Sequence, residues 1–242
     1  MGGSEVRSLA VLTGAGISAE SGIATFRGMG GLWEKVPIEE VATPWGFARD
    51  PRRVWEFYDA RRRQASGCSP NAGHRALARL EEALGPERFT LVTQNVDGLH
   101  RLAGSRNLLE IHGSLWRVRC TRCGEEREDR RVPLPDLPPP CPACGAMLRP
   151  AVVWFGEVLP EEVFGRAVAA AEASALFLVV GTSAQVEPAA SLARIAAGHG
   201  AALWEVNPEE TPLTPLCDRS WRSEAGAVLE TVAAEALSFL GG

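Results

Sequence analysis

Residues 9–22 read LAVLTGAGISAESG. The run Leu9 to Leu12 is apolar without polar alternation, as expected of a strand buried on both faces. Gly14 and Gly16 follow it and let backbone approach backbone or a ligand closely. The helix start beyond them can hold a phosphate. A GxGxxA turn is weak evidence by itself, since a tight strand-to-helix turn with no ligand reads the same way. A dinucleotide fingerprint also asks for an acidic residue about 20 positions on, at the end of a second strand. Here that place falls in a Trp- and Arg-rich stretch, which weakens a dehydrogenase reading.

Outward from this turn the same pattern repeats. Phe89 to Val92, Leu108 to Ile111, Leu176 to Val180 and Ala202 to Val206 are further short apolar runs. Helical periodicity separates many of them, as in Gly73 to Leu84 and Glu161 to Glu172, and Gly226 to Leu240 fits a closing helix. Strands without alternation, interleaved with helices, predict an α/β fold: a doubly wound, Rossmann-like parallel sheet. Two regions break the rhythm. Gly28 to Pro70 is rich in Trp, Arg and Pro, with one strong helix start where Asp50 can cap and Pro51 can occupy the first turn. Arg117 to Pro150 carries cysteine pairs around the stretch VPLPDLPPP. The expected division is a Rossmann-like domain of residues 1–30, 71–116 and 150–242, with a helical insertion (31–70) and a zinc-binding module (117–149) forming a smaller domain beside it.

Composition narrows the class. At 242 residues and 45% hydrophobic, the chain can bury a sizeable core, and 23% charged residues suit a globular protein. A net charge of -5 lacks the basic footprint of a general nucleic-acid binder. No apolar run reaches 18 residues, so no membrane span is expected, and the N-terminus runs straight into a strand with no targeting segment. A cytoplasmic location follows as an expectation. Six cysteines in a reducing compartment point to metal or free thiols rather than disulfides.

Cys120, Cys123, Cys141 and Cys144 form a CxxC…CxxC set with 17 residues between the pairs. That spacing is specific for four thiolates around one Zn2+, and four sulfurs close the coordination sphere, so the zinc is structural. Arg117, Arg119 and Arg122 flank the first pair and are expected to offset its negative charge. Cys68 and Cys217 have no partner spacing.

Polar loops follow several strands: TQNVDGLH (93–100), Glu110-Ile111-His112-Gly113-Ser114, Gly181-Thr182-Ser183 and Asn207-Pro208-Glu209. Carboxyl ends of parallel strands are where such sheets bind ligands. Together GAGIS…TFRG, TQNVDGLH, the HG pair, CxxC…CxxC and GTS occur in the order seen in the sirtuins, and the chain resembles that family over almost its whole length. Ala24 departs from the resemblance, since the family commonly has a stiffening proline there.

The resemblance implies an NAD-dependent protein-lysine deacylase that transfers an acyl group to ADP-ribose and releases nicotinamide. An amide oxygen is a poor nucleophile, so the reactants must be held in line and shielded from water. By resemblance His112 is the catalytic base, a role suited to imidazole near neutral pH. His74, His100 and His199 read as structural. The resemblance also implies that Gln94, Asn95, Val96 and Asp97 bind the nicotinamide ribose and carboxamide, under a loop with Phe26, Arg27 and Trp33. Gly14, Ala15, Gly16, Glu20, Gly181, Thr182, Ser183, Asn207, Pro208, Glu209 and Ala225 are implied along the phosphates and adenosine. Val153, Trp154, Phe155, Gly156 and Glu157 resemble the segment that pairs with the acyl-lysine peptide as an added strand.

Tyr58 and Arg61 stand at i and i+3 of the helix after Asp50 and share a face. A phenol and a guanidinium can grip a carboxylate, although composition alone favours a packed Tyr with a solvated Arg61-Arg62-Arg63 run. The string ATPWGFARDPRRVWEFYDARR (42–62) resembles the desuccinylase–demalonylase branch, in which a YxxR pair reads the acyl carboxylate and a small residue, here Ala42, widens the pocket. The expected preference is succinyl- or malonyl-lysine, with some deacetylation. Protein mono-ADP-ribosyl transfer and a non-catalytic NAD-sensing module are the alternatives. Oligomeric state is not legible.

Overall fold

The five apolar runs form strands of one sheet in the computed structural model, which describes residues 7–25 and 36–241. They are β1 (Leu9–Thr13), β2 (Phe89–Thr93), β3 (Leu108–Glu110), β7 (Leu176–Val180) and β8 (Ala202–Val206), joined by β9 (Arg219–Trp221). The order is β3-β2-β1-β7-β8-β9, and every pairing is parallel. The chain moves outward from β1 to β3 and then returns to β7 on the other side of β1. That reversal opens a crevice at the carboxyl ends of β1 and β7. Sequence periodicity missed β9 because it has only three residues and two of them are exposed.

The lack of alternation in β1 has a direct cause. Leu9 and Val11 enter one core with α5 (Ala72–Leu84) and α9 (Ala225–Phe239), while Ala10 and Leu12 enter another with α7 (Glu161–Ala173) and α8 (Ser191–Gly198). Successive side chains point to opposite faces, and both faces are covered. Truncating a buried leucine such as Leu12 to alanine costs about 2–5 kcal/mol. At the start of α5, Asn71 accepts from the Gly73 amide at 2.9 Å, and the His74 ring returns to the Asn71 amide at 3.4 Å. The Asn71 amide group also donates to Ile17 O at 2.7 Å, which ties this cap to α1 (Gly16–Ala19) and the glycine turn.

A second sheet accompanies the first. β4 (Gly113–Cys120), β5 (Glu126–Glu128) and β6 (Leu148–Val152) pair antiparallel in the order β5-β4-β6. β4 starts at Gly113, inside the stretch expected to belong to the large domain. Three helices share its core: α4 (Pro51–Ser66) packs on β4 and β6, and α2 (Ile38–Val41) and α3 (Pro44–Arg49) pack on α4. Val54, Trp55 and Tyr58 of α4 share a core with Leu115, Val118 and Leu148. α4 starts where the sequence places it: Asp50 accepts from the Arg53 amide at 3.0 Å and Pro51 fills the first turn. Arg62, almost fully buried, donates to the carbonyls of Leu115, Asp129 and Arg131 and lies 3.6 Å from the Asp129 carboxylate. These acceptors offset the cost of burying its charge. A short helix, α6 (Leu99–Ala103), follows the loop after β2. Among the described residues no helix is long and apolar enough to cross a membrane.

Candidate active site

A cavity of about 820 Å3 lies at the carboxyl ends of the parallel strands. Its size suits a large organic ligand. It gathers most of the expected residues: Gly14, Ala15, Gly16, Glu20, Gln94, Asn95, Val96, His112, Gly181, Thr182, Ser183, Asn207, Pro208, Glu209 and Ala225. Ala42, Tyr58, Arg61, Val153, Trp154, Phe155, Gly156 and Glu157 line the same cavity. Asp97 does not. Phe26, Arg27 and Trp33 lie outside the described residues.

The floor is backbone. The amides of Gly14 and Gly16 donate to Val180 O and Gly181 O at 3.0 and 2.7 Å. A Cβ at Gly16 would sit 2.8 Å from Gly181 Cα, so the two turns touch only because both are glycine there. Gly181 has a φ of 58° and Ala184 one of 53°, a left-handed conformation that is rare for alanine. Gln94 bridges the turns by donating to the Thr182 hydroxyl at 3.0 Å. This floor of main chain lines the cavity and fits a ligand that needs close main-chain approach.

His112 sits between β3 and β4. Its Nδ1 lies 3.1 Å from the Gln94 carbonyl, which can only accept, so Nδ1 carries the proton and Nε2 is the free base. Burial pushes its pKa down, and the Gln94 hydrogen bond opposes this in part. The imidazole is therefore neutral and able to accept a proton near pH 7.

Behind this wall lies a buried polar network. Ser18 donates to the Asp97 carboxylate at 2.8 Å and accepts from the Asn95 amide group at 3.2 Å, and His74 Nε2 is 3.3 Å away. Asn95 also donates to Gly14 O at 3.0 Å. Asp97 spends its other oxygen on the Leu99 amide at 2.8 Å, so it acts on the cavity through Ser18 and Asn95. Burial raises the Asp97 pKa, lowers that of His74 to about 4, and holds that of His100 well below the usual imidazole range. His100 bonds Thr13 at 2.9 Å and its ring packs against that of His74, tilted by 57° at a centroid distance of 4.8 Å. Both rings are buried and neither lines the cavity. Ser18 stands within GAGIS, yet nothing in its spacing marks it as the hub.

The β8 end of the cavity rests on a buried carboxylate that the sequence did not flag. Glu205, fully buried, accepts from Thr211 and Thr214 and pairs with Arg222 at 2.8 Å. Arg222 also donates to the carbonyls of Asn207 and Glu209 at 3.2 and 3.3 Å, which fixes that loop. Glu20 reaches across the cavity rim, where its carboxylate accepts from the Gly226 amide at 2.6 Å and caps α9.

At the other end, Tyr58 and Arg61 are each 6% exposed and share one face of α4. Burial pushes the Tyr58 phenol up to about 12, which keeps it neutral and a donor. Burial also lowers the Arg61 pKa, with Tyr58 and Asp97 opposing the shift; a guanidinium remains charged regardless. The segment after β6 is a turn rather than a strand. Val153 N donates to His112 O and Phe155 N to Ala42 O, both at 2.9 Å, and Trp154 N donates to the Glu157 carboxylate at 2.9 Å. Glu157 itself is clamped by Arg149 at 2.6 and 2.8 Å.

The cysteine cluster stands apart. The four Sγ atoms all lie within 4.8 Å of one another, with Cys120–Cys144 at 3.5 Å and Cys123–Cys141 at 3.9 Å, and none forms a disulfide. A tetrahedral zinc with Zn–S bonds of about 2.3 Å spaces its sulfurs by about 3.8 Å, so the donor set fits one Zn2+. The amides of Arg122 and Cys123 point at Cys120 Sγ, each at 3.4 Å. Arg117 and Arg119 do not neutralise the thiolates; they pair with Glu126 and Glu157 at 3.1 and 3.8 Å. β4 separates His112 from Cys120 by on the order of 20 Å, so the zinc holds the module together and takes no part in the chemistry.

Known proteins share this arrangement. The Sir2 family model matches residues 14–188. A protein of Aquifex aeolicus named NAD-dependent protein deacylase is 50% identical over 225 residues, covering 93% of each chain. One of the same name from Thermus thermophilus is 55% identical over 226 residues, 91% of this chain and 87% of that one. The crystal structure of a Sir2 homolog–NAD complex superposes with a TM-score of 0.88 at 47% identity, covering 97% of this chain and 91% of that one.

Proposed function

We propose, from the premise that the chain belongs to the Sir2 family and is an NAD-dependent protein deacylase, that it prefers lysine acyl groups ending in a carboxylate. Succinyl- and malonyl-lysine in proteins or peptides are the preferred substrates, and deacetylation is a side activity. The observation that carries this reading is the burial of Tyr58 and Arg61 together on one face of α4, in the cavity that also holds His112. A neutral phenol donor and a guanidinium, both lining the cavity, match the charge and geometry of an acyl carboxylate. Ala42 leaves room for the longer chain.

When bound, NAD supplies the ribose carbon that receives the acyl oxygen, with nicotinamide as the leaving group. Gly14, Ala15, Gly16, Gly181, Thr182 and Ser183 hold its phosphates by close main-chain approach. Asn207, Pro208, Glu209, Ala225 and Glu20 shape the adenosine end. Gln94, Asn95 and Val96 orient the nicotinamide ribose, with Asp97 acting from behind through Ser18. His112, with Nδ1 fixed by Gln94 O, takes up a proton at Nε2. The acyl-lysine peptide lies along residues 153–157, where the amides of Val153, Trp154 and Phe155 are already engaged, so it pairs through carbonyls and the Gly156 amide. The proposed division is a large domain (1–30, 71–116 and 150–242) and a small one (31–70 and 117–149), with the ends of β4 and β6 crossing the boundary between them, and the proposed location is the cytoplasm.

The test is kcat/KM with NAD and matched succinyl-, malonyl- and acetyl-lysine peptides. The acidic acyl groups should exceed acetyl by at least about ten-fold, one charge-assisted hydrogen bond's worth. Preference for acetyl would overturn the reading.

A further inference from the structure

Trp154 is buried, lines the cavity and donates its indole N–H to the Tyr58 oxygen at 3.0 Å. A phenol has one proton to place. An N–H aimed at the oxygen takes up an acceptor position and drives that proton to the side away from the indole. Tyr58 is thereby set as a donor.

The indole is itself held on several sides. Phe47 packs against it at a centroid distance of 5.2 Å. The Arg149 guanidinium lies 3.4 Å from the ring centroid and withdraws electron density from its face, which strengthens the N–H as a donor. Arg149 is fixed in turn by the bidentate Glu157 contact and by Val152 O at 3.0 Å. Glu157 closes the ring by accepting the Trp154 main-chain amide. The indole cannot turn away from Tyr58 without breaking this clamp.

We propose that Trp154 is a specificity-positioning residue, whose indole N–H orients the Tyr58 hydroxyl to donate to the acyl carboxylate, with the Glu157–Arg149 pair holding the indole in place. This rests on the carboxylate reading of Tyr58 and Arg61. The sequence contains Tyr58 and Trp154 in separate motifs 96 residues apart and gives no sign that they touch.

The experiment is a double-mutant cycle with Trp154→Phe, Tyr58→Phe and the pair, read as the ratio of kcat/KM for succinyl-lysine over acetyl-lysine peptide. Tyr58→Phe removes only the hydroxyl, whereas Trp154→Phe keeps an aromatic ring but loses the N–H together with the five-membered ring, so Tm is measured alongside. Each single substitution should lower the ratio about ten-fold, and the double variant no further, because the two groups act as one unit. A ratio unchanged in Trp154→Phe, or losses that multiply in the double variant, would overturn the proposal. If Trp154→Phe lowers the Tm too far to assay, Glu157→Gln loosens the clamp and must lower the ratio in the same direction; an unchanged ratio there overturns it too. A wild-type enzyme that shows no succinyl preference would instead defeat the underlying acyl assignment, and the cycle separates the two outcomes.

Discussion

Replacing Arg61 by methionine tests the acyl pocket most sharply. Methionine keeps the length and apolar stem of the side chain and deletes the guanidinium. Arg61 is 6% exposed, so a carboxylate that meets it does so away from water. Removing one partner of such a desolvated, charge-assisted pair costs about 2–4 kcal/mol. At about 1.4 kcal/mol per decade, that is a loss of roughly 30- to 700-fold in kcat/KM for a succinyl-lysine peptide. An acetyl group has no carboxylate to lose, so the succinyl-to-acetyl ratio should fall by the same factor. Stability should hold, because the substitution also relieves the guanidinium of the burial that lowers its pKa. The assay is nicotinamide release at subsaturating peptide and saturating NAD, with Tm measured alongside. A ratio that survives Arg61→Met with the fold intact would refute the carboxylate-reading role.

Elemental analysis should find one zinc per chain. A chelator, or Cys141→Ser, should lower the Tm and abolish activity together, because the zinc module and α4 share one core. Stability should depend on pH through His74, whose folded-state pKa of about 4 lies below its unfolded value of 6.5. The unfolded chain therefore binds the proton first, and Tm should fall as pH drops from about 6.5 towards about 4, a slope that His74→Gln makes shallower while buried His100 keeps the remainder. Arg222→Ala should raise KM for NAD several-fold and leave kcat less affected, because it frees the Asn207–Glu209 loop rather than the reacting atoms.

The parts of the molecule that were legible in the sequence are those where one physical constraint acts on a short segment. β1, β2, β7 and β8 are apolar on both faces because helices cover both, and the glycine turns sit where two backbones must touch. Asp50 and Pro51 announce α4, and the cysteine spacing announces the metal. Elements that draw on distant partners were not legible. β9 is too short and exposed to show a pattern, and the antiparallel β4–β6 sheet is stitched across the proline-rich stretch. Glu205 stands inside the apolar run LWEV, and its purpose appears only when Arg222 folds back against it. Ser18, Asp97 and His74 come from three separate segments. Arg117 and Arg119, read as neighbours of the thiolates, turn to carboxylates that the linear sequence does not put beside them.

The central claim is that His112, the nucleotide and the acyl-lysine meet in one cavity. Its most direct test is to count nicotinamide released and acyl groups removed, for the wild-type chain and for His112→Ala, with and without acyl-lysine peptide. One nicotinamide per acyl group is expected, with release that depends on the peptide and loss of both in His112→Ala at unchanged Tm. Deacylation without NAD turnover, or full turnover in His112→Ala, would contradict it.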